Sequence, residues 1–177
     1  FLVMATQNPV ESEGTYSLPE AQLDRFMFKA IVNYPAESDE ARVLELHSRQ
    51  IDLATVLKTE VKQVASAELI QKTIRENAST IVEPKLLNYI NKIVRATRSW
   101  PAFHLGASPR AGISLMQGAR ALAAFRGRNF AVPDDVVELV LPALRHRVTL
   151  TAESEVEGLS VDNELRSLLR SIEVPRL

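Results

Sequence analysis

Three polar residues of this sequence, Asn8, Arg25 and Arg110, stand where their side chains could meet an anion. Asn8 follows an apolar run and the pair Thr6-Gln7, and precedes Pro9. A side-chain amide at the C-terminal end of a buried strand lies in the crevice where open α/β sheets bind ligands. It cannot act as a base, but it can hold a water or a phosphoryl oxygen. Equally, Asn-Pro is an ordinary way to end a strand. Arg25 stands in Leu23-Asp24-Arg25-Phe26, at the predicted end of a short helix. An arginine there complements the helix dipole, and a guanidinium so displayed could also act as an arginine finger on a γ-phosphate. Arg110 is the misfit. Ser108-Pro109 predicts a helix start, with Ser108 as N-cap and Arg110 in the first turn. A cation there faces the positive end of the dipole, unfavourable by about 0.3–1 kcal/mol. Free backbone N–H groups and a guanidinium together make an anion site, which a phosphate would complete. A solvent-screened surface arginine is the alternative.

The remaining charges are less specific. Arg120, Arg126, Arg128, Arg145, His146 and Arg147 could form a basic face, although helix-surface charges are usually just solvated. With 21 Lys+Arg against 22 Asp+Glu, no global field recruits nucleic acid or an anionic membrane. The chain has no cysteine, which removes disulfides and thiolate metal sites. Its three histidines, at 47, 104 and 146, have no ligand spacing, so no metal centre is expected. No stretch of about 18 apolar residues suggests a membrane span, and no signal peptide is evident, which makes a cytoplasmic location the expectation. No G-x-x-x-x-G-K-[ST] occurs, and no apolar strand ends in Asp-Glu to hold magnesium.

Elements must position these residues. The continuous apolar run predicts a strand over 1–6, buried on both faces. Turn formers follow at Asn8-Pro9 and Glu13-Gly14-Thr15. Ser17 and Glu20 have capping-box spacing, predicting a short helix over 19–25, and 26–32 reads as a second strand. Helices are predicted over 38–49, 67–77 (capped by Ser66), 84–97, 109–126 and from 133 onward, the last bent or broken at Pro142. A final amphipathic helix spans 161–172. Residues 50–65 and 148–158 read as connectors. In the helix over 109–126, Ile113, Met116, Ala119, Leu122, Ala123 and Phe125 form the expected core face, Gly127 suits its C′ position, and Trp100 is expected to pack on the bundle. Two strands cannot form a stable sheet core, and the chain opens on Phe1 inside an apolar run. The expectation is a piece of a longer protein, mainly α.

Three blocks then carry a resemblance: ATQNPVESEGTYSLPEAQLDRF (5–26), LGASPRAGISLMQGARALAAFRGRNFAVPDDV (105–136) and LPALRHRV (141–148). In this order and spacing they resemble the second half of a MoxR-type ATPase of the AAA+ superfamily. The resemblance implies that residues 1–35 end an α/β nucleotide-binding core and that 36–177 form an all-α lid. It implies that Asn8 is the sensor 1 residue, that Arg25 is an arginine finger acting on a neighbouring subunit's ATP, and that Arg110 is sensor 2. Arg110 would then meet the nucleotide of its own subunit or of a neighbour. ATP and Mg2+ are the implied cofactors, their main motifs absent from this chain, which by itself would be inactive. A homo-oligomeric ring, a hexamer, and a von Willebrand factor A-domain partner are implied, in a chaperone-like role of remodelling other proteins; no nucleic acid partner is expected. The rival readings are a non-catalytic helical interaction module, and a helicase-like AAA+ relative using the basic residues between 120 and 147.

Overall fold

The computed structural model describes residues 2–8 and 18–176. Phe1, Pro9, the turn at Glu13-Gly14-Thr15 and Ser17 of the expected capping box lie outside the described residues. The chain is mainly helical. Its elements are α1 (Glu20–Leu23), α2 (Glu37–Ser48), α3 (Leu53–Glu60), α4 (Ala67–Ala78) and α5 (Pro84–Thr97). Then come β1 (Phe103–Leu105), α6 (Pro109–Phe125), α7 (Pro133–Leu144), β2 (Thr149–Leu150), α8 (Ala152–Val156) and α9 (Val161–Ser171). They form two compact units: the chain up to Lys29 together with Ile81–Leu177, and Ala30–Thr80.

Residues 30–80 form a set of locally determined helices. Ser66 caps α4 as expected, its hydroxyl accepting from the Leu69 N–H at 3.1 Å. Helix α3 occupies the expected connector 50–65. Asp52 starts it, accepting from the Ala54 N–H at 3.0 Å and the Thr55 hydroxyl at 2.6 Å. No residue of α2, α3 or α4 is buried.

The core lies in the other unit. Helix α5 contributes Leu86, Tyr89, Ile90, Ile93 and Val94, and α7 contributes Val136, Val140, Ala143 and Leu144. Leu165 and Leu168 of α9 close it. Helix α6 meets expectation in part: Ala119 and Ala123 are buried and Met116 packs against the core. Its buried face is Ala111, Leu115, Ala119 and Ala123, spaced by four, with Ser114 and Gly118. Ile113 and Phe125, expected in the core, are 53% and 84% exposed. Small residues win this face because neighbours approach closely: a Cβ on Gly118 would stand 2.8 Å from Leu139 Cδ1 and 3.0 Å from Phe28 Cζ. Helix α6 ends as predicted, with Gly127 at φ 70°. Helix α7 runs through Pro142 rather than breaking there. Pro142 lies in the last turn, where Ala143 and Leu144 are locked in the core.

The two expected strands are not formed. Residues 2–8 are exposed, Leu2 by 83% and Met4 by 86%. A strand buried on both faces needs partners on both edges, and residues 2–8 do not take strand conformation. Over 26–32 the backbone is also not a strand; the Lys29 N–H donates to the Pro142 carbonyl at 2.8 Å. The ribbon that does form lies in segments read as loops. It pairs β1 with β2 antiparallel, Phe103 opposite Leu150 and Leu105 opposite Thr149. The acidic connector 148–158 thus holds β2 and α8.

One tight loop links this scaffold to Arg110. Thr97 is buried at the end of α5, where its hydroxyl donates to the Val94 carbonyl at 2.7 Å and accepts from the Ala107 N–H at 2.9 Å. Arg98 Nε donates to the Ala107 carbonyl at 2.9 Å. A Cβ on Gly106 would stand 2.5 Å from Arg98 Cα, so only glycine lets the two backbones touch. Gly106→Ala should therefore cost about 1–3 kcal/mol. Gly112→Ala, whose Cβ would find nothing nearer than Ile90 Cγ2 at 3.7 Å, should be neutral or stabilise by up to about 1 kcal/mol. Urea unfolding of both variants checks the opposite signs.

Candidate functional site

The site is built around a buried cation. Val136, Val140 and Ala143 form the inward row of α7, and the next position in that row is Arg147. Its side chain is only 2% exposed. Nε donates to Asp24 Oδ1 at 3.1 Å. One Nη serves the carbonyls of Met27 at 3.1 Å and Ala143 at 2.5 Å. The other serves the carbonyls of Asp24 at 3.0 Å and Phe26 at 2.7 Å, and the Ser114 hydroxyl at 3.1 Å. Burial pulls the guanidinium below its usual pKa, while Asp24 opposes that pull; an arginine nonetheless stays charged.

The two preceding residues work on the same segment. His146 is half-buried, and its Nε2 lies 2.9 Å from the Phe26 carbonyl, which can only accept, so Nε2 carries the proton. Its Nδ1 is buried with no partner among the described residues. Burial pushes the His146 pKa down, outweighing the carbonyl contact. Arg145 makes a two-pronged pair with Asp162, at 3.1 and 2.8 Å, and reaches the Lys29 carbonyl at 3.2 Å. Three consecutive side chains thus supply the donors that the segment 24–29 would have found in a neighbouring strand.

Asp24 joins this anchor to α6. Its carboxylate accepts from the Ser108 hydroxyl at 2.9 and 2.8 Å, from Arg110 Nη1 at 3.2 Å and from Arg147. Burial would raise the Asp24 pKa, but the hydrogen bonds from Ser108, Arg110 and Arg147 outweigh it and hold the carboxyl below its usual range. Ser108 caps α6 as expected, accepting from the Arg110 N–H at 3.2 Å. The anion that offsets the dipole misfit of Arg110 is here Asp24.

Of the residues singled out from the sequence, Arg110 is 55% exposed on its pair with Asp24. Arg25 is exposed in the turn after α1, and among the described residues its side chain makes no hydrogen bond or ion pair. Asn8 lies on the exposed segment 2–8. The structure therefore brings Arg110 to the turn that carries Arg25. The expectation of simply solvated charges fails at four of the basic residues between 120 and 147, which are paired with carboxylates. Besides Arg145 and Arg147, Arg126 and Arg128 converge on the fully buried Asp135, at 2.8 and 2.6 Å, and Arg126 also pairs with Glu138 at 2.5 Å. Asp135 in turn accepts from the Val132 N–H at 2.9 Å. Burial alone would raise Asp135, but its hydrogen bonds leave it lowered. Sequence reasoning missed Asp24 and read Arg147 only as one charge of a basic face. The signal for Arg147 was its place on the apolar row of α7; a lone Asp24 beside an arginine gave none. Among the described residues no group of three His, Asp or Glu could hold a metal ion, and no helix is long and apolar enough to cross a membrane.

The folded-state pKa values of Asp24 and Asp135 are depressed, so their stabilisation is complete above about pH 4, the unfolded value, and is lost as pH falls through the folded ones. His146 is also depressed, so charging it opposes folding once pH drops below about 6.5. Unfolding free energy should therefore decline in two stages on acidification. His146→Gln, which keeps a donor for Phe26, should remove the first; Asp135→Asn should flatten the second.

Comparison with known proteins bears on what this arrangement serves. A family model described as "AAA lid domain" matches residues 95–168, and one described as "ATPase family associated with various cellular activities (AAA)" matches residues 1–28. The chain is 39% identical over 175 residues to the protein YeaC of Bacillus subtilis, covering 99% of this chain and 53% of that one. It is 37% identical to Chaperone MoxR1 of Mycobacterium tuberculosis, covering 100% of this chain and 48% of that one. A crystal structure from Cytophaga hutchinsonii, described as a candidate ATPase, superposes with a TM-score of 0.87 at 34% identity, over 99% of this chain and 55% of that one. The chain spans about half the length of the curated relatives it matches.

Proposed function

The chain belongs to the MoxR-type AAA+ ATPases, and on that premise we propose that it supplies the phosphate-sensing half of an ATP-hydrolysing site. Residues 1–35 end the nucleotide-binding core and 36–177 form the lid. Asn8 orients the attacking water, Arg25 reaches the γ-phosphate held by a neighbouring subunit, and Arg110 meets a phosphoryl oxygen from the lid. The assembly is a homo-oligomeric ring, a hexamer, that remodels partner proteins in a chaperone-like role, with a von Willebrand factor A-domain protein as its companion. The name of the mycobacterial relative supports the chaperone-like part of that reading.

One observation carries the assignment: Asp24, next to Arg25 in the chain, is hydrogen-bonded to both Ser108 and Arg110 at the start of α6. The residues fit the phosphates of ATP. Both guanidinium groups are exposed, and donors of that shape match phosphoryl oxygens. Magnesium is assigned no ligand in this chain; when bound with ATP it would neutralise phosphate charge. Magnitudes say which contact yields. An exposed pair such as Arg110–Asp24 contributes about 0–1 kcal/mol, so a more highly charged phosphate can take Arg110 over. The enclosed Arg147–Asp24 pair, whose disruption typically costs about 3–5 kcal/mol, stays. Arg110 is thus the movable partner, and the lid it rides on would follow the phosphate. The nucleic-acid reading finds no support, because Arg126, Arg128, Arg145 and Arg147 are taken up by Asp135, Glu138, Asp162 and Asp24.

The test needs the protein that also carries a phosphate-binding loop. There, Arg25→Ala and Arg110→Ala should each lower ATP turnover at least tenfold, since an arginine finger typically contributes about 10³–10⁵. Thermal unfolding should be unchanged for Arg25→Ala. Turnover near that of the unsubstituted protein in both variants would remove the assignment.

A further inference from the structure

Of the six acceptors of Arg147, two are the Ala143 carbonyl and the Ser114 hydroxyl, and the other four lie on residues 24–27. Besides the Asp24 carboxylate, these four are the carbonyls of Asp24, Phe26 and Met27, at 3.0, 2.7 and 3.1 Å. In the chain these acceptors lie on either side of Arg25. Each carbonyl turned inward fixes the orientation of its own peptide plane: the one that joins Asp24 to Arg25, and the two that follow Phe26 and Met27. The plane between Arg25 and Phe26 is held by the Phe26 N–H, which donates to the Leu23 carbonyl at 3.0 Å. His146 adds a second donor to the Phe26 carbonyl at 2.9 Å. The Arg25 side chain, by contrast, is exposed. A long side chain on a fixed backbone has less to lose on reaching a ligand than one on a mobile turn.

We propose that Arg147 is a positioning residue for Arg25. It touches no nucleotide itself; it holds the turn that displays the neighbour-directed guanidinium, acting from the far end of α7. This rests on the reading of Arg25 as an arginine finger. A lysine at 147 would keep a charge beside Asp24, but its compact ammonium cannot serve carbonyls and a carboxylate spread across a planar fork. Arg147→Lys should thus loosen the turn while leaving a cation in place.

The experiment is a double-mutant cycle in the protein carrying the phosphate-binding loop, with kcat and KM for ATP measured for Arg25→Ala, Arg147→Lys and the pair. Arg147→Lys should lower kcat at least threefold with KM changed less than twofold, and in the Arg25→Ala background it should lower kcat no further. The same fold-loss in both backgrounds would overturn the proposal, because it would mean that Arg147 acts on the fold at large. A rise in KM matching the fall in kcat/KM would also overturn it. If Arg25→Ala itself turns over normally, the finger reading falls and this proposal with it, an outcome recognisable from the single variant. Should Arg147→Lys lose its cooperative thermal transition, Arg147→Gln, uncharged but still a donor, is carried through the same cycle and judged by the same two outcomes.

Discussion

The ion pair between Arg147 and Asp24 is the constraint on which the arrangement of the turn after α1 and the start of α6 depends. A guanidinium with 2% of its side chain exposed must find its acceptors within the protein. It finds them on one short stretch, residues 24–27, with Ala143 and Ser114 completing the set. The carboxylate drawn in to balance its charge is then in place to receive Ser108 and Arg110. The placement of the N-terminus of α6 relative to the turn after α1 follows from one charge needing its counter-charge.

This explains how a segment with the composition of a strand is held without a sheet. In the run from Phe26 to Lys29, the carbonyls of Phe26, Met27 and Lys29 accept from Arg147, His146 and Arg145, and the Lys29 N–H donates to the Pro142 carbonyl. Pro142, inside a helix, owes its helical geometry to the core residues that follow it. Phe28 meanwhile abuts the position where Gly118 lacks a side chain. Sequence-local rules and packing each settle part of the result, and the buried cation decides between them.

How much of this was legible beforehand follows the same division. Capping and periodicity placed α4, α5, α6 and α9 to within a residue or two, because Ser66, Pro84, Ser108 and the leucines of α9 act through local geometry. Helix α3 was missed although Asp52 offered an ordinary cap. The face of α6 was read correctly at Ala119 and Ala123 and misjudged at Ile113 and Phe125, because large apolar residues were assumed to point inward where close helix packing selects small ones. The strands failed for a different reason: pairing is non-local, and no pattern within residues 1–32 reveals whether partners exist. Arg25 and Arg110 could be picked out by type and position. Asp24, which ties them together, could not, because its importance comes from residues 84 to 123 positions away.

The anchoring side chains at 145, 146 and 147 are consecutive, on a turn leading directly from α7 into β2. Their three targets, at Lys29, Phe26 and Asp24, run the opposite way along the chain. The spacing between Leu144 and Val148 is therefore a ruler. Adding or deleting one residue directly after Leu144 would move all three donors relative to their acceptors at once. Surface connectors such as the one before α4 face no such bookkeeping and can change length freely.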